Sequence, residues 1–272
     1  MNTSSLFWTE GRQHSTLLIT SAILILSILI CSGLTGCGPS AEELEAVDYT
    51  PLSGDDWMVS TPAEQGLDPM LVTELYHDAA DLERLYGLLV AKNGYLVAEG
   101  YFNEGSVEQK ARLQSVTKSY TSALVGIALD RGCLSGLDQK MVEFFPEVTG
   151  QITDPRKEQI TIQDMLQMRA GFPWEESHPA LWEGLLSGRY VPLVEEFPLV
   201  TDPGAEFHYN SGDTNLLGEI VRRASSSATL VHFAHEHLFE PLGSDTYEWT
   251  RCGFAPQVAF ASGGVSLRPR DM

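Results

Sequence analysis

A serine and a lysine three positions apart carry the most distinctive chemistry in this sequence. Ser115 and Lys118, in Ser-Val-Thr-Lys, open a segment with helical periodicity, so their side chains project from neighbouring positions on one side of the helix. A serine hydroxyl is a weak nucleophile unless a base takes its proton, and a neutral lysine can do so when burial disfavours its charged form. The first helical turn also aims backbone N–H groups outward, so the Ser115 N–H could supply half of an oxyanion hole. The pattern therefore indicates acyl transfer.

A second polar segment strengthens this interpretation. Ser-x-x-Lys alone is weak evidence, because about one such box arises by chance in a chain of this length. Downstream, Tyr209-Asn210-Ser211 lies in a predicted turn before another helix. The Ser-x-x-Lys box also opens an amphipathic helix immediately after a predicted hairpin, so its context adds weight to the pattern.

The elements that must position these residues begin with a helix and a hairpin. Two β-rich runs over 87–102 flank Asn93-Gly94, a strong hairpin signal because both residues tolerate the positive φ of a type I′ turn. A helix is predicted before them over 67–85. Its apolar face consists of Leu71, Leu75, Ala79, Leu82 and Leu85.

Further helices follow from apolar periodicity and capping residues. The helix over 115–131 ends at Gly132, which suits a left-handed cap, and the helix over 162–168 begins after Thr161, a good N-cap. The strict strand–helix alternation of a parallel sheet is missing, so the predicted fold class is α+β. The remaining predicted helices cover 215–224 and 230–239.

The motifs resemble those of the serine β-lactamase-related hydrolases: class C β-lactamases, D-alanyl-D-alanine peptidases, esterases and 6-aminohexanoate-dimer hydrolases. Other matching segments occur in the family's order, and the resemblance extends over residues 60–272. It implies a β-lactamase/transpeptidase-like fold, with an antiparallel sheet flanked by helices and a helical subdomain. The segments are LLVAKNG (88–94), LDQKMVEFFP (137–146), ITIQDMLQM (160–168), PGAEFHY (203–209), LLG (216–218), PLG (241–243) and GGVS (263–266).

The resemblance also implies roles for individual residues. Ser115 would be the acylated nucleophile, Lys118 its base or proton shuttle, and Tyr209 the group that protonates the leaving atom and activates the deacylating water. Which residue is the acylation base is disputed even in better-known Ser-x-x-Lys enzymes. Ser211 becomes a candidate substrate-binding residue. The implied substrate is a small-molecule amide or ester, with cell-wall-derived compounds among the candidates, and no metal or organic cofactor is required.

The sequence departs from the family pattern at two places. Class C β-lactamases have Tyr-x-Asn, whereas Ser211 occupies the third position here, a variant closer to amide and ester hydrolases than to antibiotic-degrading enzymes. The family's third motif, a Lys or His two positions before a Gly, lies beyond the segment matching 263–266, and this sequence ends at Met272. We therefore expect the C-terminal strands of the fold, with one oxyanion donor, to be missing from this chain.

The N-terminal region predicts export. An apolar run at 17–30 follows a polar segment containing Arg12, and its length fits a signal-peptide core better than a membrane span. The run is followed by Leu-Thr-Gly-Cys37, which resembles the lipobox of bacterial lipoproteins. This implies a signal peptide over 1–36 and a lipid on Cys37 that anchors the protein to a membrane of a bacterial-type cell envelope. An uncleaved anchor or a plain secretory signal is the alternative.

The composition limits the binding partners of the protein. It also separates the mature chain into two parts. Seventeen basic and 37 acidic residues give a formal charge of -20, which opposes binding to nucleic acid. The acidic residues 37–56 lack apolar periodicity and are predicted to form a tether, with the truncated hydrolase domain over 57–272. A disulfide between Cys133 and Cys252 is not expected, because two cysteines so far apart carry no pairing information.

Other interpretations remain open at this point. The run HFAHEH (232–237) is not a zinc-protease motif, because Phe239 stands where the second histidine of H-E-x-x-H would be. His208, beside Tyr209, is a weaker candidate base. The rival functions are a non-turnover ligand-binding or sensor homologue of penicillin-binding type, an inactive fragment, and a true β-lactamase or D-alanyl-D-alanine peptidase.

Overall fold

The computed structural model describes residues 38–148, 150–174, 176, 183, 197–251 and 258–272. The predicted signal peptide, Cys37 and Cys252 lie outside these residues. The helices are α1 (Ala41–Glu45), α2 (Pro69–Ala80), α3 (Thr117–Asp130), α4 (Ile162–Leu166), α5 (Ser211–Ala224) and α6 (Leu230–Ala234), the last continued by a π-helical turn (His235–Phe239). The strands are β1 (Met58–Val59), β2 (Gly87–Lys92), β3 (Tyr95–Tyr101), β4 (Ala111–Arg112), β5 (Glu248–Trp249) and β6 (Val265–Leu267). Short 3-10 turns cover Gln114–Val116, Met141–Phe144, Pro146–Val148, Pro155–Gln159 and Pro269–Asp271.

The predicted hairpin is present and forms the centre of the first sheet. β2 and β3 pair antiparallel, from Gly87 opposite Tyr101 to Lys92 opposite Tyr95. Asn93 and Gly94 have φ values of 54° and 81°, as a type I′ turn requires. β1 adds a short parallel partner to β3, which gives the order β1-β3-β2. The second sheet is antiparallel, in the order β4-β6-β5.

Of the predicted apolar face of this helix, α2 buries only Ala79. Its buried residues are Val72, Tyr76 and Ala79, whereas Leu71 is 63% exposed and Leu75 is 45% exposed. The Tyr76 ring packs against two other aromatic rings, and its hydroxyl donates to the carbonyl of Leu88 on β2. A large ring with a bonded hydroxyl gains more from this burial than a leucine would. The prediction for Leu71 and Leu75 was therefore wrong, because the sheet beneath selects the face.

Helices α3 and α5 pack against each other in the main apolar core. α3 buries Leu124, Val125 and Ala128, and Gly132 follows it with φ 72°, which confirms the predicted left-handed cap. α5 begins at Ser211, four residues before the predicted start, because the Asn210 side chain accepts the N–H of Asp213. α5 is buried along most of its length, polar residues included.

The segment predicted to be a tether over 37–56 instead packs on the domain in its described part. A capping box between Ser40 and Glu43 begins α1. The carbonyl of Tyr49 accepts the N–H of Glu99 on β3, and the N–H of Leu52 donates to the Glu99 carboxylate. Tyr49 also contacts the Tyr76 ring. Composition concealed this, because the contacts come from a few scattered groups: the Val47 and Tyr49 side chains, the backbone of Tyr49 and Leu52, and the Asp56 carboxylate, which binds Arg270.

The observed elements fit the predicted α+β class, with small sheets and a larger helical part. Among the described residues, none of the helices has the length and apolar character needed to cross a bilayer.

Candidate active site

Ser115 lies in a tight turn that leads directly into α3. The 3-10 turn Gln114–Val116 precedes the first residue of the helix, and Ser115 is exposed. Gln114 has φ 47°, a left-handed conformation that is uncommon for a residue with a side chain. Such conformations cost free energy and collect at functional sites, where the surrounding structure holds them.

The second sheet holds this turn from one side. The N–H of Leu113 donates to the carbonyl of Val265 on β6 over 2.9 Å. In return, the N–H of Val265 donates to the buried Thr117 hydroxyl over 3.1 Å. β6 belongs to the Gly-Gly-Val-Ser segment that the sequence singled out, so this segment fixes the backbone on both sides of Ser115.

Lys118 lies between Ser115 and two further groups. Its Nζ is 3.0 Å from Ser115 Oγ and 3.1 Å from the carbonyl oxygen of Ser262. It also lies 4.8 Å from the centroid of the Tyr209 ring, within the range of a cation–π contact. The structure therefore brings Ser115, Lys118 and Tyr209 together, although Tyr209 is far from the other two in sequence.

Tyr209 and Ser211 have different surroundings. Tyr209 is 40% exposed and faces Lys118, whereas Ser211 is 1% exposed, at the first position of α5. The N–H of Ser211 donates to the Glu176 carboxylate over 3.1 Å, and its carbonyl accepts from Asn215. A role of Ser211 in substrate binding stays a prediction.

Sequence reasoning missed Asn215 and Ser262. Asn215 is 1% exposed and its side-chain oxygen accepts the N–H groups of Ala261 and Ser262, while its nitrogen donates to Ser262 Oγ. The Ser262 carbonyl also accepts a hydrogen bond from Lys118, so Asn215 and Ser262 both belong to the surroundings of the candidate site. The signals that could have found them were the polar Asn215 within a buried helix and Ser262 directly before Gly-Gly-Val-Ser. Neither signal specifies which group the residue contacts.

The histidines that the sequence offered as a candidate base or as metal ligands make their contacts away from Ser115. His208 Nε2 is 2.6 Å from the carbonyl oxygen of Trp174, and its backbone N–H donates to Met168, so its ring is engaged away from Ser115. His232 and His237 approach Glu236 at 3.8 and 3.9 Å. Within the described ranges, no group of three or more His, Cys, Asp or Glu side chains is arranged to hold a metal ion.

A buried carboxyl group lies two residues from Asn215. Asp213 is 1% exposed, and neither of its carboxylate oxygens has a well-formed hydrogen bond among the described residues. Burial raises the pKa of Asp213 well above 3.8; the Ala170 backbone opposes this effect, and the nearby negative charge of Asp164 adds to it. Asp213 is thus held in conditions that favour its neutral form, at the same end of α5 as the candidate site.

Comparisons with known proteins find relatives by sequence and by structure. The chain is 26% identical over 201 residues to the 6-aminohexanoate-dimer hydrolase of Paenarthrobacter ureafaciens, covering 68% of this chain and 49% of that protein. The chain therefore spans about half the length of this relative. Among solved structures it resembles a β-lactamase/D-alanine carboxypeptidase from Yersinia pestis, with TM-score 0.55 and 20% identity over 69% of this chain and 61% of the other.

A penicillin-binding protein homologue from Pyrococcus abyssi has TM-score 0.58 and 19% identity, covering 75% of this chain and 55% of that one. These similarities show the predicted β-lactamase/transpeptidase-like fold. The Beta-lactamase family profile matches residues 86–261, well over half of the chain, including Ser115, Lys118 and Tyr209. The chain belongs to the beta-lactamase family.

Proposed function

We propose that this protein hydrolyses an amide or ester bond of a small molecule through an acyl-enzyme on Ser115, with Lys118 and Tyr209 as the proton-transfer groups. The contact that supports this most directly is the 3.0 Å separation of Lys118 Nζ and Ser115 Oγ. A nucleophile and a base within hydrogen-bonding reach are the minimum that acyl transfer requires. Tyr209, whose ring centroid is 4.8 Å from Lys118 Nζ, supplies the third group.

In the first half-reaction, neutral Lys118 takes the Ser115 proton as Oγ bonds to the substrate carbonyl carbon. The carbonyl oxygen becomes an oxyanion, stabilised in part by the Ser115 N–H. When this intermediate collapses, the bond to the leaving group breaks and the Tyr209 hydroxyl protonates the leaving atom. Ser115 is exposed, so a substrate can reach its hydroxyl.

In the second half-reaction, water attacks the acyl carbon and gives its proton to the Tyr209 phenolate. Ser115 Oγ then leaves and recovers its proton from Lys118. The net reaction adds water across one amide or ester bond, with both proton-transfer groups returned to their starting states.

A linear amide or simple ester is the proposed substrate class. The third position of the Tyr-x-Ser motif is Ser211, where class C β-lactamases have asparagine, and a relative found by sequence is named 6-aminohexanoate-dimer hydrolase. The expected order is para-nitrophenyl acetate hydrolysed faster than nitrocefin. A faster turnover of nitrocefin would instead favour the β-lactamase alternative.

The nucleophile is tested by labelling the full chain with a fluorophosphonate probe and locating the adduct by mass spectrometry. The adduct should lie on Ser115 and disappear in Ser115→Ala. Ser119→Ala, which changes an exposed serine in the first turn of α3, should label normally. Lys118→Ala should slow acylation about 10²- to 10⁴-fold, because the hydroxyl loses its base. Labelling of Ser119 or Ser211 instead would refute the assignment.

The same samples separate an enzyme from a sensor. An enzyme should release an acyl group from Ser115 and show steady-state turnover of para-nitrophenyl acetate. A sensor of penicillin-binding type should form the Ser115 adduct once and retain it. Retention of the acyl adduct with no turnover would replace the hydrolase proposal by the sensor alternative.

The proposed location is a bacterial-type cell envelope, with a lipid on Cys37 as the anchor. The support is the apolar run over 17–30 followed by Leu-Thr-Gly-Cys37. Radiolabelled fatty acid should enter the wild type and the Cys31→Ala variant but not Cys37→Ala. Equal labelling of all three would exclude the anchor.

A further inference from the structure

Two oxygen atoms lie within hydrogen-bonding distance of Lys118 Nζ, and only one of them belongs to the candidate nucleophile. The other is the carbonyl oxygen of Ser262, 3.1 Å from Nζ. When Lys118 is neutral, an N–H directed at this carbonyl leaves the nitrogen lone pair to face the Ser115 hydroxyl. The position of the Ser262 carbonyl therefore determines whether Lys118 can take the proton.

Asn215 fixes the backbone that carries this carbonyl. Its Oδ1 accepts the N–H of Ala261 at 2.8 Å and the N–H of Ser262 at 3.3 Å. Its Nδ2 donates to Ser262 Oγ at 2.7 Å and to the carbonyl of Ser211 at 2.6 Å. One amide side chain thus joins the start of α5 to both residues that precede Gly-Gly-Val-Ser.

The surroundings make this arrangement rigid. Asn215, Ala261 and Ser262 are all 2% exposed or less, so their polar groups cannot exchange these hydrogen bonds for water. A Cβ added at Gly218 would lie 2.7 Å from the Ala261 Cβ, which shows how closely α5 and this segment approach. On the opposite side, the Thr121 hydroxyl of α3 donates to the Ala261 carbonyl at 2.7 Å.

We infer that Asn215 is a positioning residue, which holds the Ser262 carbonyl against the Lys118 amine and so directs Lys118 at Ser115. This inference rests on the proposed function of Ser115 and Lys118. Asparagine suits the task because it both accepts and donates through one planar group. Aspartate keeps only the acceptors, and leucine, of similar size, keeps neither.

The test measures the fluorophosphonate labelling rate of Ser115 against pH in the wild type, Asn215→Leu and Asn215→Asp. The plateau rate per labelled site should fall about 10- to 100-fold in Asn215→Leu, because a displacement of about 1 Å at a reacting group has an effect of this size. The midpoint of the pH–rate profile should also move to lower pH, because the ammonium loses an acceptor that favours it. With an ester substrate, kcat should fall while KM changes little.

Two controls separate positioning from folding. Glu219→Gln alters another buried polar residue of α5, one whose carboxylate binds Arg222 and Arg223, so it should leave the labelling profile unchanged per folded molecule. If neither Asn215 variant folds, Thr121→Val tests the same backbone from α3, and Thr121→Ser should restore the wild-type profile. Thermal melts identify the folded variants.

Folded Asn215 variants, or a folded Thr121→Val, that label Ser115 with the wild-type rate and pH midpoint would overturn the inference and leave the proposed function intact. Failure of the wild type to label at Ser115 would instead contradict the proposed function. A lower labelled fraction with an unchanged pH profile would show a merely structural role for Asn215 and also overturn the inference.

Discussion

The protein has two regions with different interiors. The first, around α3 and α5, has an extensive apolar core, whereas the second, the N-terminal region around β2, β3 and α2, has a small buried cluster and depends more on polar contacts. The first region contains most of the buried apolar side chains, among them Leu124, Ile162 and Phe239. The second has three buried members, Val72, Tyr76 and Ala98. Lys118 and its partners lie in the first region, so the candidate site is built where packing restricts movement most.

The N-terminal region compensates with a buried ion pair. Arg270, near the end of the chain, donates to both carboxylate oxygens of Glu99 on β3 and also binds Asp56 and the Leu52 carbonyl. Burial by itself would raise the pKa of Glu99, but hydrogen bonds from Arg270, Tyr101 and the Leu52 N–H outweigh it and lower the pKa. The Glu99 contribution to stability is therefore present above its ordinary pKa of 4.5 and is lost as the pH falls through the lowered value.

The largest stability effect is expected for Arg270→Met. This change leaves the Glu99 charge buried without its partner, and removing one partner of a buried ion pair costs about 3–5 kcal/mol. Urea unfolding of the full chain measures the loss. Lys110→Met, which breaks the more exposed pair with Glu248, should cost about 1 kcal/mol or less. Equal losses for the two variants would show that the buried pair does not hold the N-terminal region.

Truncation of a core leucine should have the next largest effect. Leu124→Ala in α3 removes a fully buried side chain from the extensive cluster and should cost about 2–5 kcal/mol. Val72→Ala in α2, at 6% exposure, removes fewer atoms from a small cluster and should cost less. Denaturant midpoints at constant m-value give both numbers. A larger loss at Val72 would reverse the comparison of the two regions.

The raised pKa of Asp213, which lies on α5 in the first region, predicts a pH dependence of folding stability. Because its pKa is raised in the folded state, the folded protein binds this proton more tightly than the unfolded chain does. Its stabilising contribution is complete below pH 3.8 and declines as the pH rises through the raised pKa, with a slope of at most about 1.4 kcal/mol per pH unit. Asp213→Asn should remove this decline. Parallel pH–stability curves for the two proteins would contradict the prediction.

The smallest effect is expected on the outer face of α2. Leu75→Ser changes a side chain that is 45% exposed and lies outside the buried cluster, so its effect should stay within about 0.5 kcal/mol. Tyr76→Phe, one residue along, leaves the part-buried Leu88 carbonyl without its hydroxyl donor and should cost about 0.5–1.5 kcal/mol. Thermal melts compare the two. A greater loss for Leu75→Ser would restore the face predicted from periodicity.

Features that depend on a few adjacent residues were predictable from the sequence. Asn93-Gly94 specifies the hairpin turn because both residues tolerate positive φ, and Thr161 begins α4 because its side chain accepts the N–H of Asp164. Ser115 and Lys118 fall within reach of each other because one helical turn separates them. Local geometry determines these features, whatever the rest of the chain does.

Tertiary structure decided which distant groups meet. The burial of Tyr76 rather than Leu75 follows from the sheet under α2, and the contact of Lys118 with the Ser262 carbonyl, supported by Asn215, joins three separate parts of the chain. Spacing along the sequence carries no information on such contacts. They form because close packing of α3, α5 and the Gly-Gly-Val-Ser segment excludes water, so each buried donor and acceptor must find its partner in another element.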